Sequence, residues 1–236
     1  VAISTNGAEL LSKWLQKDSD LNCYFRTTCK TLSDVTSHNV IGEIRGREYP
    51  DEIITVGGHL DAWWPGEGAH DDGAGCMQSI EVLRIFQELG IRPKRTIRAV
   101  MFMDEEVAQR GGKEYARQAE LKNEKHYFAI EADRGALTPK GFGVSGPEKR
   151  VEQILSLKPY FEPFGITYFK EGGGGVDIGP LKQFGTPLSS MVTDMQRYFD
   201  FHHSGNDTFE KVNFREFQMG SAALASFIYL IDKNDL

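Results

Sequence analysis

Between residues 57 and 75 the chain reads GGHLDAWWPGEGAHDDGAG, which gathers His59, Asp61, His70, Asp71 and Asp72 in one stretch rich in glycine and tryptophan. Glu105 and Glu106 follow the apolar run TIRAVMFM (96–103), Asp133 ends YFAIEAD (127–133), and the polar segment FHHSGNDT (201–208) adds His202 and His203. Imidazoles and carboxylates without thiolates suit zinc in a catalytic rather than a structural site. One such ion needs about three protein ligands and an open position. The set here offers more, and two ions bridged by a carboxylate would use the surplus. Such a pair acidifies a shared water and polarises a carbonyl, while an unligated carboxylate nearby moves the proton. The adjacent Glu105 and Glu106 suit a division in which one is base and the other ligand.

Each residue alone has a plainer use. A histidine at a strand end is usually an ordinary hydrogen-bonding residue, and a Glu-Glu pair is usually solvated. Asp71 and Asp72 could simply stand at a helix N-terminus, stabilised by its dipole. The elements around them decide between these readings.

Residues 39–46 (NVIGEIRG) and 52–59 (EIITVGGH) are β-type runs joined by REYPD, a pattern that predicts a hairpin. CMQSIEVLRIFQELG (76–90) predicts a helix with Met77, Ile80, Leu83 and Phe86 on one face and Gly90 as its stop. Residues 96–103 are apolar enough for a central strand, 111–121 read as a helix and 127–133 as the next strand. Residues 148–161 predict an amphipathic helix burying Val151, Ile154, Leu155 and Leu157, and residues 8–17 a shorter one. The last helix starts at Asn213, with Glu216 three residues on as in a capping box. Strands alternating with helices predict a single domain over 1–236, a three-layer α/β/α sandwich around a mixed, mostly parallel sheet. Ligands of such open sheets bind outside the carboxyl ends of the strands. Three strands therefore deliver His59, the Glu105–Glu106 pair and Asp133 to one edge, and Asp71 and Asp72 lie in the loop from the first strand to its helix.

The remaining features mainly exclude. A chain of 236 residues, 40% hydrophobic, can bury one sizeable core. A net charge of −7 lacks the basic footprint of a nucleic-acid binder. No apolar stretch reaches the roughly 18 residues needed to span a membrane. Cys23 and Cys29 are close in sequence and Cys76 is alone, so no CxxC pair supports a cysteine zinc site, and a Cys23–Cys29 disulfide stays open. GVSG (143–146) is no G-x-S-x-G elbow. EGGGG (171–175) lacks the Lys-Ser/Thr of a phosphate loop and reads as an open pocket wall. Trp63 and Trp64 suit either a core or a pocket rim.

GGHLDAW with GAHDDGAG, then RTIRAVMFMDEE, IEAD and FHHSGNDT resemble, in order, the motifs of the M28 family of zinc exopeptidases, in its plasma glutamate carboxypeptidase branch. LGIRPKRTIRAVMF and DIGPLKQFGTP extend the resemblance from about residue 39 to the end. It implies the zinc exopeptidase (phosphorylase/hydrolase-like) fold and two Zn2+ per chain. His59 and Asp133 would share one ion, Glu106 and His203 the other, with Asp71 bridging. His203 rather than His202 is implied because it directly precedes Ser204. Glu105 would be the general base, and Asp61 the carboxylate that orients the site. The implied reaction is hydrolysis of a small peptide or dipeptide from a chain end by a metal-bridging hydroxide. Tyr198 is a candidate for the oxyanion or the substrate, and His202 and Asp177 are further substrate-binding candidates.

Two positions depart from the family pattern. His70 precedes Asp71 where an apolar or acidic residue is frequent, and Asp104 precedes the Glu pair where a small one is common. A carboxylate at 104 would push the Glu105 pKa up if it faced the site. Residues 1–30 read as the tail of an upstream region, and the family habit implies a secreted or periplasmic protein; a homodimer is left open. Two other functions stay open: a glutaminyl cyclase-like enzyme with a single zinc, and a noncatalytic binding domain on a peptidase fold.

Overall fold

A computed structural model describes residues 3–236, which fall into two compact units divided between Thr36 and Ser37. The first unit holds helix α1 (Thr5–Leu15), started by Ser4, whose hydroxyl accepts the Gly7 amide at 3.1 Å. Such a cap is worth about 1 kcal/mol to a helix. Cys23 and Cys29 of this unit are both free and exposed.

The described residues of the second unit build a seven-stranded sheet from β1 (Val40–Ile44), β2 (Tyr49–His59), β3 (Arg95–Phe102), β4 (Lys125–Glu131), β5 (Gly141–Ser145), β6 (Tyr168–Glu171) and β7 (Leu188–Val192). Their order is β1-β3-β2-β4-β7-β5-β6. β2, β3, β4 and β7 run parallel, β1 lies antiparallel to β3, and β5 antiparallel to β7. The sheet is mixed and mostly parallel, as expected, but the predicted hairpin is absent. β3 lies between β1 and β2, and the chain joins them by crossing the amino end of β3. There Arg47 and Glu48 donate their amides to the carbonyls of Pro93 and Lys94, each at 3.0 Å. Gly46 is needed for this approach, since a Cβ would stand 2.5 Å from the backbone of Lys94 and Arg95.

The helices of this unit are α2 (Ala74–Glu88), α3 (Arg110–Leu121), α4 (Glu148–Leu155), α5 (Lys158–Phe161), α6 (Met195–Tyr198) and α7 (Phe214–Asn234). On one face of the sheet, Ile54, Val56, Ile97 and Phe128 pack with side chains of α2, α4, α5 and α7, among them Phe86, Ile154, Phe161 and Phe227. On the other, Val100, Phe102 and Ala129 pack with Tyr115 of α3 and with Ile178 and Leu181. The three layers expected are thus present, and each fully buried Phe or Ile contributes about 1.5–3 kcal/mol.

Three local expectations shift. α2 turns Cys76, Ser79, Val82 and Phe86 inward, while Met77 and Ile80 are 50% and 40% exposed. Small residues at 76 and 79 let the helix lie close to the sheet, which an apolar count overlooks. The helix predicted over 148–161 breaks into α4 and α5, because Pro159 has no amide to continue the ladder. Asn213 caps α7 as expected, accepting the amides of Arg215 and Glu216 at 3.0 and 3.1 Å. Glu216 does not close a capping box; its carboxylate goes to Thr138 and to Arg197, the latter at 2.8 Å.

Candidate metal centre

β3, β2 and β4 are neighbours, so their carboxyl ends bring His59, the Glu105–Glu106 turn and Asp133 together. His59 Nε2 lies 3.2 Å from Asp71 Oδ1, 3.7 Å from Asp133 Oδ1 and 4.0 Å from Glu105 Oε2. Its Nδ1 is 2.8 Å from the carbonyl oxygen of Asp61 and so carries the proton donated there. This leaves Nε2 to face the carboxylates, the arrangement typical of a metal-ligating imidazole.

On the other side of Asp71, Oδ2 lies 3.4 Å from His203 Nε2 and 3.7 Å from His202 Nε2. His203 Nε2 is also 2.9 Å from Glu106 Oε2. Asp71 thus stands between two donor groups, His59 with Asp133 and Glu106 with His203. His202 stacks on His203, ring centroids 3.8 Å apart, and completes a further close set with Asp71. The geometry brings both histidines to the cluster, and Glu106 marks out His203.

Two observations show that these residues fit a divalent cation. Asp71 Oδ2, Asp133 Oδ1 and Glu106 Oε1 are buried with no hydrogen-bond partner, and buried carboxylate oxygens are costly without one. Burial lowers the His59 pKa, but the hydrogen-bonded Asp133 and Asp71 outweigh it and drive the pKa well up. The carboxylates therefore hold a positive charge at Nε2, where a cation would stand in for the proton. Burial, with Asp133, Glu106 and Asp71 adding to it, pushes the Glu105 carboxyl up to about 6. Burial likewise raises Asp133 and Glu106, whereas the imidazoles around Asp71 hold it down despite burial.

Positioning is done by other side chains. Asp61 accepts the amides of Glu105 and Glu106 at 3.0 and 3.1 Å, one on each oxygen. Its carboxylate thus orients the glutamate turn, while its carbonyl orients His59. Asp72 turns its carboxylate to backbone amides: it accepts those of His59 and Gly75 at 3.0 Å each, the latter in the first turn of α2. The plain reading of the Asp pair holds for Asp72 alone. Asp207, which no sequence signal singles out, accepts the amides of His70 and Asp71 at 2.6 and 3.0 Å. Glu131, equally unmarked, accepts those of Val176, Asp177 and Ile178.

Asp104 does not face the site. It adopts φ +71°, which Asp tolerates better than most residues, and its carboxylate binds Arg110 at 3.1 Å. His70 is a buried wedge, stacked on Phe201 at 4.4 Å, with Nδ1 accepting the Ala136 amide at 3.2 Å. Trp63 stacks on His203 at 4.7 Å and is half-exposed, a rim residue, while Trp64 is largely exposed. Tyr198 is buried 5.1 Å from the His202 ring, and burial with Asp133 and Asp71 keeps its hydroxyl protonated. Asp177 is buried with neither oxygen hydrogen-bonded; burial raises its carboxyl to about 7.

The model of peptidase family M28 matches residues 39–228, a span that holds every residue of this cluster. Carboxypeptidase Q of Bos taurus is 32% identical over 232 residues, 97% of this chain and 48% of that protein. The chain therefore spans about half the length of the curated relatives it matches. Among solved structures, the peptidase M28 precursor of Shewanella amazonensis shares 35% identity and a TM-score of 0.76, covering 82% of this chain and 44% of that one. A zinc aminopeptidase from Bacillus subtilis shares the fold at 20% identity and TM-score 0.65, over 81% of this chain and 49% of that one. With the family model matching residues 39–228 and relatives aligned over nearly all of this chain, the chain belongs to peptidase family M28.

Proposed function

We propose that this chain is the catalytic part of a zinc exopeptidase, of aminopeptidase or dipeptidase type, that hydrolyses small peptides and carries two zinc ions. The observation that carries the reading is Asp71 between two donor groups, with the Glu105 carboxylate beside them, 4.0 Å from His59, and in neither group. His59 and Asp133 would hold one ion, Glu106 and His203 the other, with Asp71 shared. Bound zinc supplies Lewis acidity and stabilises negative charge developing on the scissile carbonyl. Glu105 takes the proton of the attacking water and returns it to the leaving amine. Asp61 holds Glu105 for that transfer through its amide. Tyr198 is assigned as hydrogen-bond donor to the carbonyl oxygen, and Trp63 as one wall of the entrance. The family resemblance further supports a secreted or periplasmic location.

The test is metal content together with hydrolysis of dipeptides and aminoacyl-anilides by the native chain and Glu105→Gln. Two zinc ions in both proteins, with turnover down about 100- to 10,000-fold in the variant, is the expected result. One zinc per chain with cyclisation of N-terminal glutamine would replace the reading with a cyclase. No zinc at micromolar concentration and no turnover would leave a binding domain.

A further inference from the structure

We propose that Arg134 and Lys182 form a subsite for a carboxylate on the substrate, and so determine which peptides are accepted; this rests on the exopeptidase reading. A cavity of about 450 Å³ adjoins the metal centre, with Asp133 in its wall and Arg134 and Lys182 among its lining residues. Arg134 directly follows the ligand candidate Asp133, and its carbonyl accepts the Thr193 hydroxyl at 2.5 Å, which fixes its backbone. Its guanidinium meets only Met195 Sδ, at 3.7 Å, a weak acceptor. Among the described residues neither Arg134 nor Lys182 has an ion-pair partner. Arg84, Arg95, Arg98, Arg117 and Arg197, by contrast, pair with carboxylates.

The facing wall is built to stay open. Gly173, Gly174 and Gly175 line the cavity without side chains, and a Cβ on Gly175 would lie 2.0 Å from the Glu131 carboxylate. That carboxylate is engaged by the amides of Val176, Asp177 and Ile178 at 2.8, 3.0 and 3.0 Å, so it holds the wall instead of pairing with Arg134. Two unpaired cations beside an open wall next to the reacting centre suit an anionic group one residue from the scissile bond. Arg134 would take a carboxylate through two parallel N–H donors, and Lys182 would add a point charge. The carboxylate can come from the peptide C-terminus or from an acidic side chain.

Calorimetry on the zinc-loaded chain separates these cases with three analogues whose scissile amide is reduced to CH2–NH. They are Ala-Ala with a free C-terminus, its C-terminal amide, and the amide carrying Glu in place of the second Ala. The free acid is expected to bind about 10- to 100-fold tighter than the plain amide. In Arg134→Met/Lys182→Met that ratio should fall to about one, with zinc content and melting temperature retained. Tight binding by the Glu amide alone assigns the group to a side chain, by the free acid alone to the C-terminus, and by both to either source. Binding of both the free acid and the Glu amide no tighter than that of the plain amide by the native chain, no binding of any analogue, or a preference unchanged in the double variant would overturn the subsite. Hydrolysis of a neutral aminoacyl-anilide is measured in parallel. An acid preference without that hydrolysis would sink the peptidase reading and leave the subsite standing.

Discussion

Asp207 Oδ2 accepts the backbone amide of Asp71 at 3.0 Å, across 136 positions of sequence, while Oδ1 accepts that of His70. The loop that supplies His202 and His203 thereby also fixes the backbone of the carboxylate between the two donor groups. Asp207→Ala leaves two buried N–H groups without an acceptor, at a cost of about 1–3 kcal/mol each. Zinc affinity should fall about 10- to 100-fold, as for other groups that orient metal ligands. Asp207→Asn keeps one acceptor and should lose less. Chelator competition measures this, and native affinity in Asp207→Ala would refute the positioning role.

Asp61 is the corresponding brace for the base. Its two oxygens take the amides of Glu105 and Glu106 separately, so Asp61→Asn presents an NH2 group to one N–H and pushes the turn aside. The expected result is kcat lower by about 10- to 100-fold with KM little changed, because orientation of the base is lost more than substrate contact. Steady-state kinetics on a dipeptide decide it. A rise in KM at constant kcat would mean that Asp61 serves substrate binding instead.

How much of this site is legible in the sequence follows from where each side chain gets its position. His59, Glu105 and Asp133 can be read because a strand ends beside each, and strand ends of a parallel sheet share an edge. Asp207 and Glu131 cannot, since a carboxylate that binds distant backbone amides leaves no periodic or spacing signal. The same limit hides the β1–β3 pairing. REYPD is good turn chemistry between two β-type runs, and only the insertion of β3, whose residues follow well downstream, decides against the hairpin. On α2, apolar spacing selects Met77 and Ile80, but the side that faces the sheet carries the small Cys76 and Ser79, whose size allows the close approach.

The glycine wall has its own test. At Gly175 a Cβ would collide with the Glu131 carboxylate, whereas at Gly172 nothing lies within 4 Å. Gly175→Ala must therefore displace Glu131 from the three amides it holds, with an overpacking cost of about 1–3 kcal/mol. Gly172→Ala bears only the strain of its φ of +91° and serves as the comparison. Urea unfolding of both variants checks this, and a Gly175→Ala midpoint at or above that of Gly172→Ala would count against the wall as drawn.

A last prediction concerns His126, on the face of the sheet covered by α3 and at the amino end of β4, opposite the end that Asp133 follows. Its Nδ1 meets Thr55 Oγ1 at 3.1 Å, and its ring packs edge-on to Tyr115 with centroids 5.4 Å apart. Burial, reinforced by the Arg98 guanidinium, holds its pKa down to about 4, against the partial compensation of Glu124. The unfolded chain binds this proton near the ordinary histidine value of about 6.5. As pH falls from 6.5 to 4, the unfolded state takes up a proton that the folded state refuses, and folding stability drops. The stability is complete above about 6.5 and, from this group, about 3 kcal/mol is lost by pH 4. His126→Gln keeps a hydrogen-bonding group that does not titrate. Its stability, measured by urea unfolding at pH 7, 5.5 and 4.5, should fall less steeply than that of the native chain. Carboxylates common to both proteins cancel in the comparison, so parallel curves would mean that His126 is charged in the folded state and that its burial does not exclude the proton.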